Sequence, residues 1–157
     1  MTEQYKDIIR RYYEEIWNQS NMALIPELVH ENVSFKGSLG ATQRGLRSLS
    51  VYMDFIHAAL GDYHSRILDM AAEGNKVYAR IQYSGIHRGE LFGYAATEAR
   101  IAWEGVAVFT FVDDKISDIW VLGDINGVMK QLSRYMMDFS GQSPSPAGGR
   151  GLACPEF

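Results

Sequence analysis

A single cysteine, Cys154, lies near the C-terminus of the 157 residues. No intrachain disulfide is possible, and no cysteine-based metal site can assemble. Stability must come from packing. Long apolar runs are also absent: nothing approaches the ~18 to 20 continuous apolar residues of a membrane span. The opening stretch MTEQYKDIIRRYYEE is charged and helical in pattern, unlike a signal peptide, so no membrane association and a cytoplasmic location are expected. Basic clusters are missing too. Lys and Arg number 15 against 19 Asp and Glu, a net charge of −4, which supplies no footprint for nucleic acid. There is no glycine-rich phosphate loop after a strand and no G-x-S-x-G elbow. His30, His57 and His64 are scattered without ligand spacing, so no metal is expected. A small organic ligand is the partner that these exclusions leave.

What is present is ordinary globular composition, 46% hydrophobic and 22% charged, in a length suited to one domain. Prolines are few, and three of the four fall in SGQSPSPAGGRGLACPEF. That segment, 140–157, has neither helical nor strand periodicity and reads as a tail following a single domain over 1–139. Within the domain, Tyr5, Ile8, Ile9, Tyr12 and Ile16 repeat on one helical face, which predicts a helix over about 3–18. A short helix follows near Asn21, with Pro26 tolerable only in its first turns. Further helices are predicted over about 44–60 and 126–137.

Between them the period changes to two. Val77, Ala79, Ile81 and Tyr83 alternate with Tyr78, Arg80, Gln82 and Ser84, the pattern of a strand with one buried face. In 101–112, Ile101, Trp103, Ala107, Phe109 and Phe111 share one face while Val106, Val108 and Val112 occupy the other. Apolar residues on both faces imply that both are covered. Helices can cover one, and a second copy of the chain is the economical cover for the other, so a homodimer is expected. Strands over about 63–72 and 115–123, with EGNK and VDDK as hairpin turns, and a short strand at 32–36 complete an α+β domain.

Three blocks carry a family resemblance across about residues 7–133. RRYYEEIWNQSNMALIPELVHENVSF resembles the opening of SnoaL-like polyketide cyclases and related ester cyclases. SGIHRGELFGYAAT resembles their His-x-Gly strand turn, and GVAVFTFVDDKISDIWVLGDINGVMKQL their closing Trp-x-x-x-Asp-x-x-Gly block. The resemblance implies a nuclear-transport-factor-2-like cone: a curved antiparallel sheet wrapped around the N-terminal helices as an α+β barrel with an internal cavity. It also implies dimers through the outer sheet face and a cofactor-free aldol cyclisation using an aspartate. The matching position is Asp124.

If the last strand is regular, Asp124 shares its parity with Ile116, Trp120 and Leu122 and points into the apolar interior. There its pKa would rise toward the range of a general base. The competing reading is a helix N-cap, contributing about 1 kcal/mol. His87, ending a strand, is a candidate second acid/base group or the anchor of its own turn. Tyr13, Trp17, Phe35, Phe55, Tyr83, Trp103 and Trp120 are the candidate ligand contacts, most of them also core residues. The expected function is cofactor-independent acid/base chemistry on a hydrophobic carbonyl compound, cyclase-like or isomerase-like. The alternative is a non-catalytic binding module using the same cavity.

Overall fold

The computed structural model describes residues 1–38 and 41–140. Helix α1 (Thr2–Arg11) continues directly as a π-helix (Tyr12–Asn18); a short turn and α2 (Ile25–Leu28) lead into β1 (Val29–Lys36). Then come β2 (Gln43–Arg44), α3 (Leu46–Ala59), β3 (Leu60–Glu73), β4 (Lys76–His87), β5 (Arg100–Val112), β6 (Lys115–Gly123) and α4 (Ile125–Ser140). The strands form one sheet in the order β2-β1-β6-β5-β4-β3. It is the expected α+β arrangement, a curved sheet with helices packed against its inner face. Two details differ from expectation. β1 and β6 run parallel, so the sheet is mixed, because the chain between them makes a long crossover through α3 and four strands. The sheet also keeps two ends, β2 and β3, and does not close into a barrel. The expected tail lies outside the described residues from 141 onward, and Ser140 is the last residue of α4.

The hairpin turns follow their residues. Gly74 has φ +58° in the β3–β4 turn, and Asp113 and Asp114 have φ +52° and +61° in the β5–β6 turn. Two consecutive left-handed residues suit the twist of a tight hairpin, and aspartate tolerates that conformation. The inner face of β4 and β5 supplies the centre of the core, where Val77, Ile81, Ala107 and Phe109 are fully buried together with Ile9, Ile16 and Met53 from the helices. Tyr5 stacks on Phe111 at 4.2 Å between ring centroids. Tyr12 and Tyr13 present edges to Phe109 at 5.5 and 5.9 Å. Such aromatic pairs add about 0.5–1.5 kcal/mol each beyond burial.

The first helix changes period where the sequence predicts an unbroken α-helix. Tyr12, Tyr13, Ile16 and Trp17 are all buried. In an α-helix these four would spread over about 140° at 100° per residue. The wider turn of a π-helix draws them toward one face.

The second irregularity is in β6. Phe111 pairs with Ile116, but Thr110 pairs with Asp118, leaving Ser117 as an extra residue in a bulge. Its hydroxyl donates to the Thr110 carbonyl at 3.0 Å. One inserted residue exchanges the faces of everything after it. Ile116 is therefore inside, yet Ile119 and Val121 take over the inner face while Trp120 and Leu122 point outward, 39% and 55% exposed. On the outer face Val106 sits opposite Leu122, and Val108 sits between Trp120 and Tyr78, with Arg80 and Glu104 paired at 3.2 Å beside them.

Gly105 fixes how closely β5 and β6 approach at this end. A Cβ there would lie 2.9 Å from the Leu122 carbonyl oxygen and 3.0 Å from the Gly123 Cα, both backbone atoms that cannot rotate aside. Gly105→Ala is expected to cost about 1–3 kcal/mol, read as a lower denaturant midpoint at unchanged slope. A wild-type midpoint would contradict this strand register.

Candidate functional site

A cavity of about 100 Å³ lies between the π-helix, α3, the inner face of the sheet and the 88–99 segment. Each element contributes through its own periodicity. The π-helix supplies Tyr12, Tyr13 and Trp17; α3 supplies Tyr52 and Ile56; the strands supply Phe35, Tyr63, Tyr83 and Trp103. Leu91 and Phe92 close one side, and Ile119, Val121 and Ile125 another. Ring contacts hold the wall in place: Trp17 lies 5.2 Å from Tyr63 and 6.3 Å from Tyr52, Phe35 lies 5.8 Å from Tyr52, and Tyr83 lies 5.4 Å from Trp103. Further out, the Asn18 amide donates to the Ser65 carbonyl at 2.8 Å and accepts from the Ser65 N–H at 2.7 Å. His57 bonds the Trp17 carbonyl through Nε2 at 2.9 Å.

The polar groups of the cavity are mainly tyrosine hydroxyls. Burial pushes Tyr83 up to about 12, against a hydrogen bond from Tyr13 that lowers it. Burial also raises Tyr12, Tyr13 and Tyr63, and the proximity of Tyr83 raises each of them further. Tyr63 accepts a hydrogen bond from the Ser65 hydroxyl at 2.9 Å. These phenols are consequently neutral donors across the physiological range and do not act as bases. Among the described residues, no Asp, Glu or His lines the cavity.

Of the residues singled out in the sequence, Tyr13, Trp17, Phe35, Tyr83 and Trp103 meet at this cavity. Phe55 and Trp120 do not. Phe55 is half-buried on the flank of α3, off the spacing that brings Tyr52 and Ile56 to the cavity. Trp120 is turned outward by the Ser117 bulge.

Asp124 is exposed and outside the cavity, correcting the expectation of a carboxylate aimed into the apolar interior. Its Oδ1 accepts the Gly127 N–H at 2.9 Å and its carbonyl accepts the Val128 N–H at 3.2 Å, which is N-cap geometry for α4. The next residue in the chain, Ile125, lines the cavity.

His87 is fully buried but does not line the cavity. Its Nδ1 accepts the Thr97 N–H at 3.3 Å and lies 3.0 Å from the Thr97 hydroxyl. Its backbone bonds Glu98 and Ala99, both at 2.9 Å. The imidazole therefore anchors the 88–99 segment that carries Leu91 and Phe92.

Tyr12 was expected on the inward helical face but not as a ligand contact, and Tyr52 and Tyr63 were not singled out in the sequence. The signal for Tyr12 was its place on the apolar helical face, and the spacing of four between Tyr12 and Ile16 suits an α-helix as well as a π-helix, so it did not announce the change of pitch. Tyr63 gave no comparable signal. Its placement follows from a register shift between Gly61 and His64.

Burial pulls the His87 pKa below its ordinary value, against the opposing pull of the Tyr94 and Gly89 carbonyls and of Glu98. The unfolded chain therefore takes up this proton first, near pH 6.5. The stability that rests on a neutral imidazole is whole above that pH and declines as pH falls through 6.5 toward the lower folded value. Denaturation midpoints measured from pH 8 to 5 are expected to fall more steeply for the wild type than for His87→Gln. Parallel curves would contradict this role.

No curated protein matches the sequence. The likeness to solved structures is strong in fold and low in identity. A candidate SnoaL-like polyketide cyclase from Jannaschia sp. CCS1 superposes with a TM-score of 0.78 at 15% identity, over 84% of this chain and 93% of the other. TsrD from Streptomyces laurentii gives 0.75 at 19%, over 84% and 96%. An LEH-like epoxide hydrolase from M. tuberculosis gives 0.69 at 15%, over 88% and 96%. These likenesses show the shared nuclear-transport-factor-2-like fold. The model of the SnoaL-like polyketide cyclase family matches residues 7–132, most of the folded domain, and the chain belongs to that family.

Proposed function

We propose that this protein is a cofactor-independent enzyme of cyclase or isomerase type that acts on a small hydrophobic carbonyl compound held in the cavity. Family membership supports a cyclase- or isomerase-type role in general. The observation that carries the finer reading is the gathering of neutral, buried phenols at one apolar cavity. A phenol that donates to a carbonyl oxygen stabilises the negative charge that develops there when a proton leaves the adjacent carbon. In a dry site such donors are worth about 10²–10³ in rate.

The proton needs an acceptor, and Asp124 is the nearest match to the family aspartate. Its Oδ1 is held by Gly127, and Oδ2 is the oxygen that would receive the proton. The resulting enolate carbon attacks an internal carbonyl or is reprotonated elsewhere, and the carboxylic acid returns the proton to the new alkoxide or carbon. The second reading, a binding module without turnover, is favoured by the cavity lining, which among the described residues includes no carboxylate or imidazole.

Asp124 allows the two readings to be separated, because asparagine caps a helix as well as aspartate does. Asp124→Asn keeps the cap and removes the base. Exchange of α-protons for deuterium in a hydrophobic ketone such as 2-tetralone, followed by NMR, is expected to slow by about 10²-fold or more in Asp124→Asn and in Tyr83→Phe. Binding without exchange in the wild type would establish the second reading.

The same proposal includes a homodimer through the outer sheet face. Val106, Trp120, Leu122 and Tyr78 form its exposed apolar part, and Arg80 and Glu104 supply both charges needed to face a second copy. Leu122→Asp is expected to halve the mass seen by sedimentation while leaving the fold intact. An unchanged mass would remove the dimer.

A further inference from the structure

We propose that Phe92 determines ligand specificity on one side of the cavity: its side chain, carried on a strained two-residue hairpin, closes the cavity off from the apolar cluster under α4 and so fixes how deep a ligand reaches there. This role rests on the reading of the cavity as a site for a hydrophobic carbonyl compound, and adds the residue that selects among such compounds.

The cavity adjoins a second apolar cluster. Ile56, Tyr63, Trp103 and Ile125 line the cavity and also pack against that cluster. Ile101 of β5 and Val128 and Leu132 of α4 are buried in the cluster and do not line the cavity, so they stand behind its wall. Among the described residues, Leu60, Leu91 and Phe92 are the ones that are both buried in the cluster and part of the lining. These three form the partition, and Phe92 is the largest of them.

The backbone sets Phe92 apart. Leu91 and Tyr94 exchange two backbone hydrogen bonds, at 3.0 and 2.9 Å, which leaves Phe92 and Gly93 as a two-residue turn with φ of +51° and +84°. Such a turn requires left-handed residues at both positions, and glycine, asparagine and aspartate supply them most readily. Gly93 fits this and Phe92 does not. The other non-glycine residues at positive φ among those described are Ser20, Asp62, Glu98, Asp113 and Asp114, none of them apolar. A bulky side chain in this conformation is an outlier, and such strain gathers at ligand clamps and active sites, where the surroundings hold it. Phe92 is 6% exposed, and burial of its ring is what offsets the strain. The base of the segment is fixed separately, because the Arg88 and Gly89 N–H groups both donate to the Ala59 carbonyl, at 3.0 and 3.2 Å. From Glu90 to Ala96, the backbone–backbone hydrogen bonds among the described residues are the two within the hairpin. The wall can therefore change at Phe92 without losing its anchor.

Truncation at Phe92 is expected to open the cavity into the cluster. The probes are the straight-chain 2-alkanones from 2-butanone to 2-decanone and the matching 2-alkanols. They are titrated by NMR into the wild type, Phe92→Gly, Phe92→Ala, Phe92→Leu and Val128→Ala, with the spectra also reporting that each variant is folded. Each methylene that enters an apolar site raises affinity about fourfold, until the chain has no more wall to bury against. In Phe92→Gly and Phe92→Ala that rise should continue for about two further carbons, a gain on the order of tenfold for the longer ketones. The terminal methyl of the chain should then show new NOE contacts to Val128 or Leu132. Phe92→Leu should gain less in the same direction, and Val128→Ala, which loosens the cluster without touching the lining, should keep the wild-type limit. Glycine accepts positive φ and alanine resists it, so Phe92→Gly should have the higher denaturation midpoint of the two. A lower one would contradict the strained turn. An unchanged limit in the Phe92 variants, or the same lengthening in Val128→Ala, would overturn the role of Phe92; ketones still favoured over alcohols would leave the carbonyl reading intact. Lengthening shared equally by ketones and alcohols would support the role of Phe92 and sink the carbonyl reading. No binding of any probe by any of these proteins would remove both.

Discussion

The cavity depends on one local change of pitch, the passage of the first helix from α to π at Tyr12. A π-helix is a poor hydrogen-bonding arrangement in isolation and persists where packing repays it. Here the repayment is visible. Its wider turn allows Tyr12, Tyr13, Ile16 and Trp17 to be buried together, and its C-terminal end is clamped from outside. Asn18 makes two bonds to the backbone of Ser65 on the edge strand β3, and His57 of α3 bonds the carbonyl of Trp17. Two elements distant in sequence from this turn thus hold it. With a regular α-helix, Tyr13 and Trp17 would lie farther around the surface from Tyr12.

The sheet and the helix that crosses it were largely legible in the sequence because both obey simple periods. In β4 and β5, alternation alone separated Ile81 and Phe109 from Arg80 and Val106, and the observed β5, Arg100–Val112, agrees closely with the predicted 101–112. The aspartate pair Asp113–Asp114 announced its own hairpin, since few residues accept two left-handed conformations in succession. Tyr13, Tyr83 and Trp103 were placed on the correct face for the same reason. What failed was any inference that carried a regular period across an irregularity. A bulge such as that at Ser117 arises from how two strands meet, and a single strand read by itself contains no sign of it. The residues beyond it, Trp120 and Asp124, were accordingly assigned to the wrong face.

Asp124 illustrates how a motif can be right about position and silent about geometry. The Trp-x-x-x-Asp-x-x-Gly pattern locates a carboxylate at the junction of β6 and α4, and the structure has one there. The same spacing puts Gly127 at the third helical residue, where its N–H reaches the Asp124 carboxylate. A Cβ at Gly127 would meet the Asp124 Oδ2, a side-chain atom that can turn aside, so glycine there eases the cap without being required for it. The pattern therefore encodes a capped helix start as well as any acid/base group. Capping and proton transfer are compatible, since one oxygen can be held while the other stays open.

The bulge at Ser117 also ties the inside of the protomer to its outside. By exchanging the faces of β6 it takes Trp120 from the cavity wall and puts Ile119 and Val121 there, smaller side chains that leave open space beside Phe35 and Trp103. The same exchange sets Trp120 and Leu122 on the outer face in register with Val108 and Val106. Without the extra residue, the indole would fill much of a cavity this small, and the outer face would lose its largest apolar side chain. One inserted residue thus sets both the room available to a ligand and the apolar surface presented to a second copy. Removing it would be expected to alter the two together, because no local change can restore one face of the strand without reversing the other.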